Sequence, residues 1–444
     1  MNPPPSRRFA QILLLITVLA LVVRVGYVVF EKWNEPMVGD QVFYNASANR
    51  LSDGDAFVVP FDAKNPKKVG TEPAADHPPL TIIVLAPVSW ISGWNPNAHR
   101  LTMALLGTVG VVLIGLLGRA VAGERAGLVA AGIAAVYPNL WVNDGLVMSE
   151  TLSVLAVVLA LLLAYRFARN PTALTALGLG VVCGFGALAR AELILLAPLL
   201  ALPTVLLARA VPRPERVQSV VILVGAVALI VGPWVVFNLG RFESATFLST
   251  NDGGSMVGAN CDAAYSGNSV GLWQRSCLPV ERGDESTANA AYRSRALHYM
   301  RDHADRLPAV VLARVGRTWS LFRPGDMRTY NEGEGREQWV TTAGLWFYFP
   351  ILLLAIAGIV VMRRRFDWLW QLLVPIVIVT IVSIVTYGQT RFRIPAEPSL
   401  VVLAAVAIDA FFPGKTVPRG GAANPGPADE PVDEPSGEAL EPTA

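Results

Sequence analysis

Residues 12–30 read ILLLITVLALVVRVGYVVF: nineteen residues interrupted only by Thr17 and Arg24. A helix needs about 20 apolar residues to cross a hydrocarbon core roughly 30 Å thick, and this run meets that length. Ser6-Arg7-Arg8 stands in front of it. A cleavable secretory signal carries an apolar stretch of about 7–15 residues followed by a small-residue cleavage site. Here the run is longer, no such site follows, and further apolar runs come after it. It reads as a retained first membrane span.

The rest of the chain repeats the pattern. Of 444 residues, 53% are hydrophobic and 16% charged, against about 25% charged in soluble domains. The runs segment into about ten spans at 10–30, 99–121, 126–141, 147–168, 172–189, 192–209, 217–238, 342–361, 367–386 and 395–412. The fold class expected is an all-α polytopic membrane protein. A net charge of +2 is too small to suggest a nucleic-acid partner.

Basic residues orient the spans, since cytoplasmic loops carry an excess of Lys and Arg. With Arg7 and Arg8 inside, strict alternation places inside every one of the following: Arg119 with Arg125, Arg166 with Arg169, Arg209 with Arg213 and Arg216, Arg363-Arg364-Arg365, and Lys415 with Arg419. Both termini are then cytoplasmic, in a cell membrane. Two long segments, 31–98 and 239–341, lie outside, each expected to carry surface helices. Residues 1–412 are expected to form one membrane-embedded domain. The tail 413–444, rich in Pro, Glu, Gly and Ala, has the composition of a disordered segment.

Polar groups near membrane depth are costly and are functional candidates by default. Asn143, Asp144 and Glu150 fall at one outer turn, Arg190 and Glu192 at the next, and Gln389, Arg391 and Arg393 at the outer start of the last span. Arg24 lies toward the outer end of the first. Bland readings stand beside these. Arg24 reads equally as a snorkelling side chain, Asp144 as a helix cap, and Arg190 with Glu192 as a local pair holding a turn. What the bland readings leave unexplained is that all the groups meet one aqueous face.

The first outer segment contains Gly39-Asp40-Gln41-Val42-Phe43-Tyr44, then apolar residues to Leu51 at a helical period, as for a helix lying on a membrane surface. Asp40 stands where an N-cap belongs. The segment closes with Asp76-His77-Pro78-Pro79-Leu80, after which a helix is expected over 80–92; His77 reads either as a structural residue or as part of a site. In the second segment, Cys261 and Cys277 are expected to form a disulfide, because the outer side is oxidising. The pair lacks further ligands at metal spacing. Two soluble helices, roughly 285–304 and 307–321, make this segment a folded lid. Cys183 lies in a span as packing. No Gly-x-x-x-x-Gly-Lys loop and no dinucleotide fingerprint occurs, which argues against a nucleotide-driven pump.

Taken together, Gly39-Asp40-Gln41 with Tyr44, His77-Pro78-Pro79-Leu80, Met148-Ser149-Glu150-Thr151, Ala189-Arg190-Ala191-Glu192 and Tyr387-Gly388-Gln389-Thr390-Arg391-Phe392-Arg393-Ile394-Pro395 resemble, in order over residues 7–412, the signatures of GT-C glycosyltransferases. The branch they resemble is glycosyltransferase family 39, with its protein O-mannosyltransferases and aminoarabinose transferases. The resemblance implies a polyprenyl-phosphate-linked sugar as donor and an acidic catalytic base in the first outer loop, which maps to Asp40. Family members often carry a second acid directly after the first; Gln41 stands there, a departure that counts against a role needing two adjacent carboxylates, such as a divalent metal site, and leaves a single-base mechanism intact. No cofactor is expected to be required, and a divalent metal is not supported.

The expected chemistry follows. A phosphate ester leaves without protonation, so a single base suffices where ordinary glycoside hydrolysis uses two carboxylates. Asp40 would activate an acceptor hydroxyl that attacks the anomeric carbon opposite the phosphate. Arg391, Arg393 and Arg190 are the candidate phosphate clamp. Tyr44, His77, Glu150, Glu192 and Gln389 would position substrates, and the Cys261–Cys277 loop would shape the acceptor site, whether glycan, protein or lipid. The rival readings are a membrane transporter or lipid-linked-sugar flippase, an outer-face ligase or polymerase, and a scaffold.

Overall fold

Backbone amides in hydrocarbon must be satisfied within their own segment, so apolar runs become helices. The computed structural model describes residues 4–60, 70–209 and 211–412. All ten predicted runs lie on helices or chains of helices; the predicted tail from 413 onward, with Lys415 and Arg419, lies outside the described residues. Among the described residues there is no β-strand, only an isolated bridge between Val58 and Pro73.

In chain order, α1 is Arg7–Tyr27, continued by a π turn over Val28–Lys32; α2 is Asp40–Ser52; α3 is Leu80–Ser92; and α4 is Pro96–Ala122. The bundle continues with α5 (Glu124–Val136), α6 (Pro138–Asp144), α7 (Glu150–Arg169) and α8 (Ala173–Ala189). An irregular run follows over 191–206, ending in α9 (Leu202–Leu206), and then α10 (Arg213–Leu239). The second long segment supplies α11 (Asp252–Ala259), α12 (Asp262–Tyr265), α13 (Glu285–Asp302), α14 (Leu307–Thr318) and α15 (Asp326–Glu332). The chain closes with α16 (Gln338–Met362), α17 (Phe366–Val385), a 3-10 turn over Thr390–Ala396, and α18 (Glu397–Phe411).

Among the described residues, six helices are long and apolar enough to cross a bilayer; α5 with α6 makes up to a seventh, bent by 59°, and shorter apolar helices lie at 80–92, 173–189, 191–206 and 369–385. The bend corrects the single span expected at 126–141. Pro138 pushes Tyr137 out of helical geometry, to φ −72° and ψ 113°, as a following proline does. Outward residues such as Leu15, Leu229, Leu353 and Trp346 are largely exposed, as befits contact with lipid. Inside, small residues let helices touch backbone to backbone. A Cβ on Gly180 would lie 2.4 Å from the Leu223 carbonyl of α10, and one on Gly358 would lie 2.1 Å from Leu403 of α18.

Buried ion pairs brace the bundle away from the outer cavities. Arg24 Nε donates to Asp144 Oδ2 at 2.8 Å, with the arginine 1% exposed. That pairing rules out both the snorkelling and the cap readings. Arg393 Nε donates to Glu397 Oε1 at 2.6 Å, and its Nη1 donates to the Thr318 carbonyl and Ser320 Oγ.

The lid is welded to the bundle. Arg314 Nη1 donates to the Ile384 carbonyl, and its Nη2 to the Ala259 carbonyl and Asn260 Oδ1. Gly388 N donates to Gly271 O at 2.8 Å, so the segment entering the last span is pinned under the lid. The expected Cys261–Cys277 disulfide is formed, and the two soluble helices are α13 and α14. On its other side the lid clips the first outer segment: Glu285 Oε2 accepts from Ala75 N and Thr250 Oγ1, each at 2.9 Å.

Candidate active site

The site is built where α2, α7, the α8 end, the lid and the 390–396 turn converge. Gly39 precedes α2 with φ +59°, in the left-handed region that favours glycine. α2 therefore starts at Asp40 itself, with Gly39 in the cap position expected for Asp40. The Asp40 carboxylate caps nothing and instead reaches across the fold, where Arg391 Nη2 lies 2.6 Å from Asp40 Oδ2.

The other two nitrogens of Arg391 are also spent on carboxylates. Nε donates to Glu150 Oε1 at 2.5 Å and Nη1 to Glu334 Oε1 at 3.0 Å. Glu150 is fully buried at the first turn of α7, where the helix N-terminus favours negative charge. Its Oε1 also accepts from Arg190 Nη1 at 3.0 Å and faces Arg336 Nη2 at 3.9 Å. Arg190 Nε donates in turn to Glu192 Oε1 at 2.7 Å. The local pair read from the sequence is thus real, and it is one arm of a larger network. A buried carboxylate ringed by guanidiniums avoids the desolvation cost an unpaired one would carry.

His77 stacks on the Tyr44 ring at 4.8 Å. Its Nε2 stands 3.7 Å from Asp40 Oδ2 and 3.3 Å from Asp76 Oδ2. Burial opposes charge on the imidazole, but Asp76 and Asp40 outweigh it and raise its pKa. Burial likewise opposes ionisation of Asp40. Arg391 and His77 more than offset that, holding the carboxyl well below the usual range. In the resting site Asp40 is ionised and clamped.

Two cavities meet at this pair. A cleft of about 320 Å³ runs from Asp40, Tyr44, His77, Arg190 and Glu192 to an apolar wall of Leu195, Ile381, Val382 and Val385. The second, of about 860 Å³, extends under the lid past Trp273, Arg275, Arg323 and Tyr330. Asp40, Asn251, Ser255, Tyr387 and Arg391 line both. The arrangement offers arginines suited to an anion, an apolar wall beside α17 and a larger polar chamber, with the Asp40 carboxylate at the junction.

Of the residues read from sequence, Asp40, Tyr44, His77, Arg190, Glu192 and Arg391 line the cleft, with Glu150 directly behind them. Arg393 does not join them. Its Nε donates to Glu397 and its Nη1 to Thr318 and Ser320, and its guanidinium lies 3.5 Å from the centroid of the Tyr348 ring. Gln389 is fully buried and lines neither cavity, so it does not touch a substrate held there. Gln41 points its amide nitrogen to the carbonyls of Val38 and Glu334; it supports the Glu334 segment from behind. Sequence reasoning missed Glu334 and Arg336. Both stand in Glu332-Gly333-Glu334-Gly335-Arg336, just before α16. The sidedness that singled out the other charges applied there too, but a glycine-rich run reads as a linker. Among the described residues no cluster of three or more His, Cys, Asp or Glu is arranged to hold a metal ion.

Residues 76–237 match the family model for dolichyl-phosphate-mannose-protein mannosyltransferases. No curated protein matches the chain in sequence. Among solved structures it is similar to the Archaeoglobus fulgidus oligosaccharyltransferase tethered to an acceptor peptide containing the NVT sequon, at 16% identity and TM-score 0.57, covering 92% of this chain and 50% of that one. It is also similar to the same archaeal protein in complex with an inhibitory peptide and a dolichol-phosphate, at 16% identity and TM-score 0.53, covering 91% and 50%. A weaker likeness, TM-score 0.41 at 13% identity over 91% of this chain and 78% of the other, is to ArnT of Cupriavidus metallidurans bound to undecaprenyl phosphate. The chain spans about half the length of the archaeal structures it matches. The shared feature is the membrane-helix fold, which fixes architecture and leaves function to be argued from the site.

Proposed function

We propose that this chain, whose fold is that of the GT-C superfamily, moves a sugar from a polyprenyl-phosphate donor to an acceptor hydroxyl on the outer face of the membrane. The single observation carrying this reading is the junction: Arg391 and Asp40, in contact, at the meeting point of an apolar-walled cleft and a larger polar chamber. The prenyl phosphate belongs in the cleft, its chain against Leu195, Ile381, Val382 and Val385, its phosphate toward Arg391 and Arg190. The dolichol-phosphate in the archaeal complex and the family description at residues 76–237 are in keeping with such a donor. Basic residues on the opposite side of the bundle support an outer-face site with cytoplasmic termini.

The reaction proceeds by attack of the acceptor oxygen on the anomeric carbon, with departure of the phosphate from the opposite side and inversion. The donor is a phosphodiester with one negative charge; the leaving lipid phosphate carries about 1.5 to 2 charges near neutral pH. Arginines at the phosphate therefore bind the departing group more strongly than the donor, which is what accelerates a reaction. To take the phosphate, Arg391 releases the more exposed of its carboxylates, Asp40. The freed carboxylate, no longer stabilised by its guanidinium, becomes a stronger base at the moment the acceptor needs one. The scheme requires no cofactor. The transporter reading draws no support from a network gathered at one end of the bundle.

The test is Asp40→Asn in the purified full-length protein, given a polyprenyl-phosphate sugar and assayed for release of free lipid phosphate. A positioned base contributes about 10²- to 10⁴-fold, so turnover should fall at least a hundredfold while lipid-phosphate binding persists. Near-normal turnover would remove Asp40 from the base role.

A further inference from the structure

The larger chamber has a chemistry of its own. The Cys261–Cys277 bridge closes a loop that supplies Asn268, Trp273, Gln274 and Arg275 to one wall. Arg323 and Tyr330 line it as well. Trp273 is held by its indole N–H to the Gly254 carbonyl at 3.1 Å, and Tyr330 donates its hydroxyl to the Trp273 carbonyl at 3.3 Å. Each side chain is thus tied to the backbone of the segment beside it. Arg323 donates to Asn268 Oδ1 at 2.8 Å and pairs with Asp326 at 2.9 Å, an amide and a guanidinium already ordered before anything binds.

Planar amide, guanidinium and carboxylate groups offer paired donors and acceptors, which match the neighbouring hydroxyls of a sugar ring. Aromatic faces match the ring's C–H face while keeping a polar tip wet. At about 860 Å³ the chamber stands near the upper end of the roughly 300–1,000 Å³ typical of ligand sites, room for more than one ring. A peptide acceptor asks for other features: a strand edge to pair with, absent among the described residues, or a deep apolar pocket for an anchoring side chain. Among the described residues lining this chamber, Leu272 is the single aliphatic one beyond Cβ size.

Resting on the transferase reading above, we propose that the acceptor is a glycan, an oligosaccharide of two or more rings seated against the disulfide-closed loop with one hydroxyl presented to Asp40. The experiment separates acceptor class from activity by measuring binding first. Mannotriose, arabinotriose and chitotriose, and a Ser/Thr-rich octapeptide, are titrated into the full-length protein in nanodiscs, followed by calorimetry. At least one trisaccharide should bind saturably, and Arg275→Ala and Gln274→Ala should each weaken it about tenfold, as for loss of one hydrogen bond to a charged or amide group, with polyprenyl-phosphate binding unchanged. Failure of every trisaccharide to bind, or binding of the peptide alone with the same sensitivity, overturns the proposal. A second arm adds the polyprenyl-phosphate sugar. If a trisaccharide binds as expected but never accelerates lipid-phosphate release, the glycan site stands and the transferase reading falls.

Discussion

Arg391 Nη2 and Asp40 Oδ2 lie 2.6 Å apart, while the remaining nitrogens of the same guanidinium hold Glu150 and Glu334. One cation therefore answers to three anions from three separate parts of the chain. Any phosphate that enters must compete with a carboxylate for it. Asp40 and Glu334 have side chains 32% and 19% exposed and Glu150 is fully buried, so the exchange falls on the first two.

This competition predicts a pH signature. In the resting site burial opposes the Asp40 charge, but Arg391 and His77 prevail and its carboxyl titrates well below the usual range. Once phosphate occupies Arg391, the carboxyl moves back up. The acidic limb of kcat/KM for the donor reports the free enzyme, and that of kcat the bound one. The kcat limb should therefore lie at higher pH than the kcat/KM limb. Coincident limbs, or the reverse order, would contradict the exchange.

Glu334 offers the complementary test. It accepts from Arg391 Nη1 at 3.0 Å and also holds Arg336. Glu334→Gln removes a competitor for the phosphate without touching the base. Polyprenyl-phosphate affinity should rise about fivefold, the worth of a partly exposed ion pair of roughly 1 kcal/mol, and product release should slow. Unchanged affinity in a calorimetric titration would mean that Glu334 orders the loop and does not tune the clamp.

Much of this was legible in the sequence, for a physical reason: a charge near the bilayer is costly, so its position is informative. Glu150, Arg190 and Arg391 stood out because they sit at the outer ends of apolar spans, whereas Asp40 read alone as a cap and gained its role from the motif resemblance. Helix α3 was readable because Pro78-Pro79 sets its start and Gly93, with φ +63°, its end. Arg393 misled because it shares a motif and a sidedness with Arg391; two positions along a 3-10 turn point it to Glu397 instead. Arg24 and Asp144 were ambiguous because each alone has a bland reading, and only the fold shows that they neutralise one another across 120 residues. Glu334 and Arg336 escaped because glycines mask them.

Gly388 predicts how firmly the lid is seated. A Cβ there would lie 2.4 Å from the Arg314 carbonyl oxygen and 2.8 Å from both Arg314 Cα and Arg317 Cβ, none of them the far end of a flexible side chain. Gly388→Ala should destabilise the protein by about 1–3 kcal/mol, the range for overpacking. It should raise hydrogen exchange in α14 and in the 388–396 segment together. Exchange confined to one of them would show that the lid and the Arg391 turn are not coupled.

The disulfide makes a separable prediction. Its cysteines are 16 residues apart, and closing a loop of that size is worth about 3 kcal/mol in the chain-entropy model. Cys261→Ser with Cys277→Ser should lower thermal stability accordingly. Because the loop walls the larger chamber and not the cleft, the acceptor KM should rise several-fold with donor affinity unchanged. A change in donor affinity instead would place the loop on the other substrate.

Glu285 joins the lid to the His77 segment, and its titration carries a sign. Burial, opposed by hydrogen bonds from Ala75 and Thr250, pushes its pKa up to about 7. In the unfolded chain the group titrates in the ordinary glutamate range, so the folded protein holds the proton more tightly. Its contribution to stability is therefore full below about pH 4.5 and fades as pH rises through about 7. Glu285→Gln keeps the size and an acceptor oxygen for Ala75 N while removing the titration. Melting temperatures of the wild-type protein should fall between pH 5.5 and 8 by more than those of the variant. An equal fall in both would show that Glu285 does not set the pH response, and that its carboxylate is solvated well enough to ionise without cost.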